Sequence, residues 1–172
     1  GSWTETTYNE NISDFQKIKL RQRVAIDMSN RTLATKMVNQ SVSMPVAIAP
    51  TGLTGMQRAD GEILAAQAAE EFGIPFTLST MSVCSLEAVA EKTKNPFWFQ
   101  LYVMRDKKFM ARLIDRAKEA KCSALVLTLD LQILGQRHKD VRNGLSTPPK
   151  LIPKHIYQVL TRPMWCLRML TT

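Results

Sequence analysis

The stretch Phe97-Trp98-Phe99-Gln100-Leu101-Tyr102-Val103 reads as a short β-strand, aromatic and aliphatic almost throughout. It nevertheless carries Gln100 and Tyr102, and residues two apart on a strand share a face. A polar pair on one face of an otherwise apolar strand needs hydrogen-bonding partners on that side. Three other segments have the same form: Met44–Thr51 (MPVAIAPT), Ile74–Thr80 (IPFTLST) and Ala124–Asp130 (ALVLTLD). Each is an apolar run that ends in hydroxyl, amide or carboxylate side chains.

Helical patterns lie between these runs. Gly61–Phe72 sets Ile63, Leu64, Ala68 and Phe72 as its apolar positions, with Gly73 placed to cap its C-terminus. Ser85–Lys92 opens on a capping serine, with an acid at Glu87. Asp106–Ala120 opens on a capping aspartate and brings Phe109, Met110, Leu113, Ile114 and Ala117 to one face. Strands joined by helices imply a parallel sheet with right-handed crossovers, covered on both sides.

Two α/β architectures fit this repeat, a doubly wound open sheet and a (β/α)8 barrel. The first run continues into APTGLTGMQRADG, where Gly52 and Gly55 lack the GxGxxG spacing of a dinucleotide-binding turn. The barrel reading accounts for more, because barrel active sites are built at the C-terminal ends of the strands. Thr51, Ser79, Gln100 with Tyr102, and Thr128 with Asp130 would converge on that rim. Singly, each of these could instead cap a strand or bond to nearby backbone. A barrel takes about 250 residues, so four βα units make a partial one with unpaired edges.

Composition bounds the alternatives. The 172 residues are 45% hydrophobic and 22% charged, as expected for a globular chain. Cys84, Cys122 and Cys166 form no CxxC pair, which favours reduced thiols over a disulfide framework. With only two histidines and no clustered ligands, a metal site is not expected. No run is long enough to span a bilayer, and the N-terminus does not read as a secretory signal. Half of the net charge of +8 comes from Lys150, Lys154, Arg162 and Arg168, since Pro148–Thr172 contains no acid. The remaining charges are interspersed, which argues against a nucleic-acid footprint.

The segments MPVAIAPTGLTGM, PFTLSTMSVCSLEAVA, FWFQLYVMRD and ALVLTLDLQILGQRHKDVRNG, in this order, resemble the FMN-dependent L-2-hydroxy acid dehydrogenases and oxidases, particularly the respiratory L-lactate dehydrogenase branch. The resemblance covers about Trp3 to Pro149 and implies a (β/α)8 barrel, with residues 1–149 as its N-terminal half. It implies FMN as cofactor and an L-2-hydroxy acid, L-lactate foremost, as substrate. Ala49, Pro50, Thr51 and Gly52 would run along the flavin, while Ser79, Gln100 and Thr128 would hydrogen-bond its ring or ribityl chain. Tyr102 would contact substrate, Asp130 would pair with a catalytic histidine, and Arg137 would stand near the substrate on a loop. Gly52 leans towards a dehydrogenase, with an acceptor such as a quinone, and Met81 bears on pocket shape.

The family's histidine–arginine motif does not occur in these residues, and neither His138 nor His155 stands in its context. Tyr8 does not match the substrate tyrosine of the family's N-terminal helix, at whose far end the chain is expected to start. The isolated chain is therefore expected to be inactive. Residues 150–172 correspond to an excursion after the fourth strand that is membrane-facing in some relatives, where Tyr157, Trp165 and the basic residues suit an anionic interface. The resulting expectation is a homo-oligomeric cytoplasmic enzyme, with contact at the inner face of the cytoplasmic membrane as a further expectation. A non-catalytic half-barrel assembly module, or a barrel acting on another phosphate-bearing ligand, are the other readings.

Overall fold

The computed structural model describes residues 1–130, 133, 135–144 and 153–171, so Lys150 lies outside the described residues. The described chain divides into two compact units. One comprises residues 32–131 with 162–172, and the other residues 1–31 with 132–161.

The first unit is built on a parallel sheet of β3 (Thr77–Leu78), β4 (Trp98–Tyr102) and β5 (Ala124–Thr128), in that order. Helices α4 (Leu86–Lys92) and α5 (Lys107–Glu119) connect successive strands. The expected first strand is reduced to one parallel bridge, Ile48 to Phe76. Pro45 and Pro50 supply no N–H donor, and Val46 N–H donates locally to the Met44 carbonyl. Only the Ile48 backbone joins the ladder, donating to Pro75 O at 2.8 Å and accepting from Thr77 N at 3.1 Å. The sheet is open among the described residues.

Register divides the sheet into two chemically different faces. Thr77 pairs with Trp98, Gln100 with Val126 and Tyr102 with Thr128, so Thr77, Trp98, Gln100, Tyr102, Val126 and Thr128 share one side. Phe76, Leu78, Phe97, Phe99 and Leu101 face the other way and form the core with Ala66, Ala69, Leu86, Val89, Leu113 and Ala117 of the helices. Each fully buried large side chain contributes about 1.5–3 kcal/mol. β5 is an edge strand, and its Leu125 and Leu127 are nearly half exposed on the helix-covered side.

The helix caps form as the sequence indicates. Ser85 Oγ accepts from Ala88 N at 3.1 Å, and Asp106 Oδ1 accepts from Phe109 N at 3.0 Å. Gly73, at φ 67, closes α3 (Gly61–Phe72) in the left-handed conformation that glycine adopts without penalty. The apolar face expected for α3 is corrected. Leu64, Ala68 and Phe72 point to solvent, with Phe72 65% exposed, while Gly61, Glu62, Ala66 and Ala69 are buried. Small side chains let this helix approach the sheet closely, and the buried Glu62 interrupts the hydrophobic pattern on which that expectation rests.

An antiparallel hairpin, β1 (Thr35–Met37) and β2 (Gln40–Val42), closes the N-terminal end of the sheet. Its loop residues Val38 and Asn39 both have positive φ, the pattern of a type I′ turn. Gln40 Oε1 accepts from the Trp98 indole at 2.7 Å, and Ser43 N donates to Gly73 O at 2.9 Å. At the same end Glu70 Oε1 accepts from the amides of Lys94 and Asn95.

Pro153 and Pro163 each begin a short helix, α7 (Pro153–Leu160) and α8 (Pro163–Thr171). In the first unit the Trp165 indole donates to Met56 O at 3.0 Å, docking α8 on the short helix α2 (Thr54–Gln57). The other unit contains α1 (Thr6–Lys17), α6 (His138–Arg142) and α7. There Trp3 N donates to Gln136 O at 2.9 Å, the Trp3 ring stands edge-on to His138, and Lys139 pairs with Glu5 at 2.8 Å.

Arg116 of α5 grips Glu87 of α4 with two 2.7 Å hydrogen bonds, holding that carboxyl down to about 2. Both side chains are about half exposed, so the pair is worth below about 1 kcal/mol. A depressed carboxyl stabilises the fold above its ordinary value of 4.5, and this contribution fades as pH falls towards about 2. A double-mutant cycle of Glu87→Gln and Arg116→Met should read a coupling of about 0.5–1 kcal/mol at neutral pH. The coupling should vanish in strong acid.

Candidate functional site

The polar face of the sheet converges on one amide. Gln100, on the central strand, is 1% exposed. Its Oε1 accepts from the Thr80 amide at 3.2 Å and from Ser79 Oγ at 3.4 Å, and its Nε2 donates to Thr128 Oγ1 at 2.7 Å. One side chain thus joins the C-terminal ends of β3, β4 and β5. Thr80 Oγ1 donates in turn to the Gln100 carbonyl and accepts from Tyr102 N. Ser79 Oγ also accepts from Met81 N at 3.1 Å, which turns the chain after β3.

The loop after the first-strand position lies beside this network. Leu53 N donates to Met81 O at 2.9 Å. A Cβ built on Gly52 would lie 3.2 Å from the Met81 Cβ and 3.8 Å from Ser79 Oγ. Ala49, Pro50, Thr51 and Gly52 are all exposed, and Thr51 Oγ1 donates to Ala49 O at 3.4 Å. Backbone groups and a side-chain-free glycine therefore border the Ser79–Gln100–Thr128 network.

Tyr102 is partly exposed on the same face as Gln100, two residues further along β4. Asp130, two residues beyond β5, is exposed and has no hydrogen-bond or ion-pair partner among the described residues. Arg137 belongs to the other unit, at the N-terminus of α6, where its guanidinium stands 3.8 Å from Asp140. The fold thus brings together Ala49, Pro50, Thr51, Gly52, Ser79, Gln100, Tyr102 and Thr128 at one end of a single sheet. His138 is exposed against Trp3 in the unit that holds Arg137.

Hollow size points elsewhere. Two hollows of about 350 and 470 Å³ open at the N-terminal end of the strands, around Gln40, Glu70, Asn95 and Phe97. In the smaller of them Gln40 and Glu70 are already bonded to Trp98, Lys94 and Asn95. Convergent side-chain chemistry, rather than volume, makes the C-terminal end the candidate site. Sequence reading missed Glu62 and Thr80, and the only available signal was a carboxylate where a helix pattern called for an apolar residue.

The family profile described as FMN-dependent dehydrogenase matches residues 1–172. The chain belongs to the FMN-dependent dehydrogenase family. It is 47% identical over 165 residues to an L-lactate dehydrogenase of Acinetobacter baylyi and 48% identical to one of Acinetobacter baumannii, covering 96% of this chain and 43% of each relative. The chain therefore spans less than half the length of these relatives. Its fold matches the monotopic membrane protein (S)-mandelate dehydrogenase with a TM-score of 0.90 at 32% identity, over 99% of this chain and 46% of that one. A mandelate oxidase matches with a TM-score of 0.79 at 34% identity, over 85% of this chain and 42% of that one.

Replacing Gln100 by leucine would strand the Thr80 amide and remove the donor to Thr128 in a buried setting. Such an orphaned group costs about 1–3 kcal/mol. Urea unfolding of Gln100→Leu should show a loss of that size, and a neutral result would remove Gln100 from the centre of the network.

Proposed function

We propose that this chain forms one wall of the FMN site of an enzyme that oxidises an L-2-hydroxy acid, L-lactate foremost, to the 2-oxo acid. The observation that carries the reading is the Ser79–Gln100–Thr128 network at the strand ends, bordered by the exposed backbone of Ala49–Gly52. The identity to L-lactate dehydrogenases supports lactate over mandelate as substrate. On this reading the sheet is the first four βα units of a (β/α)8 barrel, whose inner face is the polar one.

The residues suit a flavin in chemical terms. A flavin edge presents neutral donors and acceptors, and neutral amide, hydroxyl and peptide groups match it without burying a charge. Thr128 Oγ1 accepts from Gln100 and so keeps its own hydrogen to donate, and Gln100 retains one amide hydrogen. Because Ser79 and Gln100 are buried, Thr128, Tyr102 and the Ala49–Gly52 backbone form the accessible part. When bound, FMN would supply the acceptor for the electron pair that leaves the substrate.

The remaining roles concern substrate and proton. Tyr102 would donate to the substrate carboxylate or hydroxyl. Asp130, without a hydrogen-bond or ion-pair partner among the described residues, would orient a proton-accepting histidine and favour its charged form. Arg137 would offer a cation to the substrate carboxylate. Electrons would pass on to an acceptor such as a quinone, and subunits would assemble as a homo-oligomer. Without a histidine in the required context, residues 1–172 alone would not turn over substrate.

Residues 150–172 are proposed to contact an anionic membrane from one side. Tyr157, Leu160, Met164, Leu167 and Leu170 are exposed, Arg162 and Arg168 lie among them, and no described helix is long and apolar enough to cross a membrane. The likeness to a monotopic relative supports peripheral contact, and the inner face of the cytoplasmic membrane is the side we propose.

Anaerobic addition of L-lactate to the complete protein should bleach its flavin absorbance faster than (S)-mandelate does. A faster response to mandelate would reassign the substrate. Binding to anionic vesicles should weaken steeply with salt, since surface charge is screened within about 10 Å at 0.1 M. Absence of vesicle binding at low salt would remove the membrane role.

A further inference from the structure

Glu62 is the buried ionisable side chain, among the described residues, that the reading above leaves without a task. It lies in the first turn of α3 and is 1% exposed. Its Oε1 accepts from Val83 N at 3.0 Å, while Oε2 is buried without a hydrogen bond. Gly55 of α2 closes over that oxygen. A methyl group there would stand 2.8 Å from Oε2 and 2.7 Å from the Val83 Cβ.

An apolar side chain could fill this space, but it would leave the Val83 amide unmet. Burial opposes the charge on Glu62, yet the hydrogen bond from the Val83 amide holds its carboxyl below the ordinary range. Burial and the same carboxylate push the Cys84 thiol up to about 11. From α3, therefore, one carboxylate reaches two loops. One carries Gly55 and follows Ala49–Gly52, and the other carries Val83 and Cys84 and follows Ser79. The same loops meet again where Leu53 N donates to Met81 O.

We propose that Glu62 is a positioning residue for the cofactor wall, its carboxylate tying the loop after the first-strand position to the loop after β3. The tie fixes the distance between the Ala49–Gly52 backbone and Ser79, so that both sides of the wall are preset before a ligand arrives. Glycine is required at position 55 because any side chain would wedge the two loops apart. The inference rests on the FMN reading only for what the wall binds; the tie itself belongs to the fold.

Glu62→Gln is nearly isosteric but withdraws the charge that strengthens the bond from the Val83 amide, and Gly55→Ala wedges the loops with the carboxylate intact. Both are to be made in the complete protein. Hydrogen exchange of the apoprotein should accelerate roughly tenfold or more at residues 53–57 and 81–84 in both variants, with β4 unchanged. Titration should show FMN binding weakened by roughly tenfold or more. The pH midpoint for Cys84 alkylation should fall further in Glu62→Gln than in Gly55→Ala, because only the former loses the carboxylate that, after burial, raises the thiol. Wild-type exchange at both loops in Glu62→Gln would overturn the tie. Opened loops with unchanged FMN affinity would overturn the positioning role. If Glu62→Gln does not fold, Gly55→Ala decides by the same two readouts. Failure of the wild-type protein to bind FMN would instead overturn the flavin reading, and exchange would still decide the tie.

Discussion

A primary amide buried on the central strand of a sheet has to be satisfied within the protein, and Gln100 meets that constraint by drawing three strand ends together. Its oxygen takes the Thr80 amide and the Ser79 hydroxyl, and its nitrogen reaches Thr128. Because strand register is fixed in steps of two, the partners all sit on the side away from the helices. The same register sends Phe76, Leu78, Phe97, Phe99 and Leu101 to the other side, where the helices close over them. One strand therefore organises both the core and the polar surface.

The polar face is useful because it is held rather than merely exposed. Ser79 and Gln100 are buried, so their orientations are set by each other and by Thr80 and Met81. Preset donors and acceptors lose little entropy when a ligand arrives. The loops that border this face are fastened separately, through Leu53 to Met81 and through Glu62 to Val83. Hydrogen bonding thus sets the geometry of the site, whereas apolar packing supplies the stability beneath it.

What the sequence made legible follows from which rules were local. Ser85 and Asp106 cap their helices through hydroxyl and carboxylate oxygens three residues from the amides they accept, and Gly73 adopts the left-handed conformation that ends α3. Those are short-range relations, and they survive folding unchanged. The pairing of Gln100 with Thr128 spans 28 residues, so the sequence could only raise the need for a partner. The buried face of α3 was illegible because it is made of alanines and a glutamate, which mimic a surface. α1 escaped notice because Thr, Asn and Ser crowd its sequence and none of its residues is buried. The hairpin was hidden by Val38, a residue seldom found at positive φ. Arg137 was legible through resemblance alone, whereas Asp130 also stood out as a polar residue at a strand end, and the two fall in different units.

Membership of the FMN-dependent dehydrogenase family gives this geometry its context, and the chain matches less than half of each relative. Leu125 and Leu127 on edge strand β5 stay nearly half exposed among the described residues. The central claim is that the face organised by Gln100 binds the cofactor. Titration of FMN into the complete apoprotein, wild type against Gln100→Leu, measures it directly. The account predicts a dissociation constant raised by roughly tenfold or more, equivalent to about 1.4 kcal/mol, in a variant that remains folded. An unchanged dissociation constant in that folded variant would contradict it.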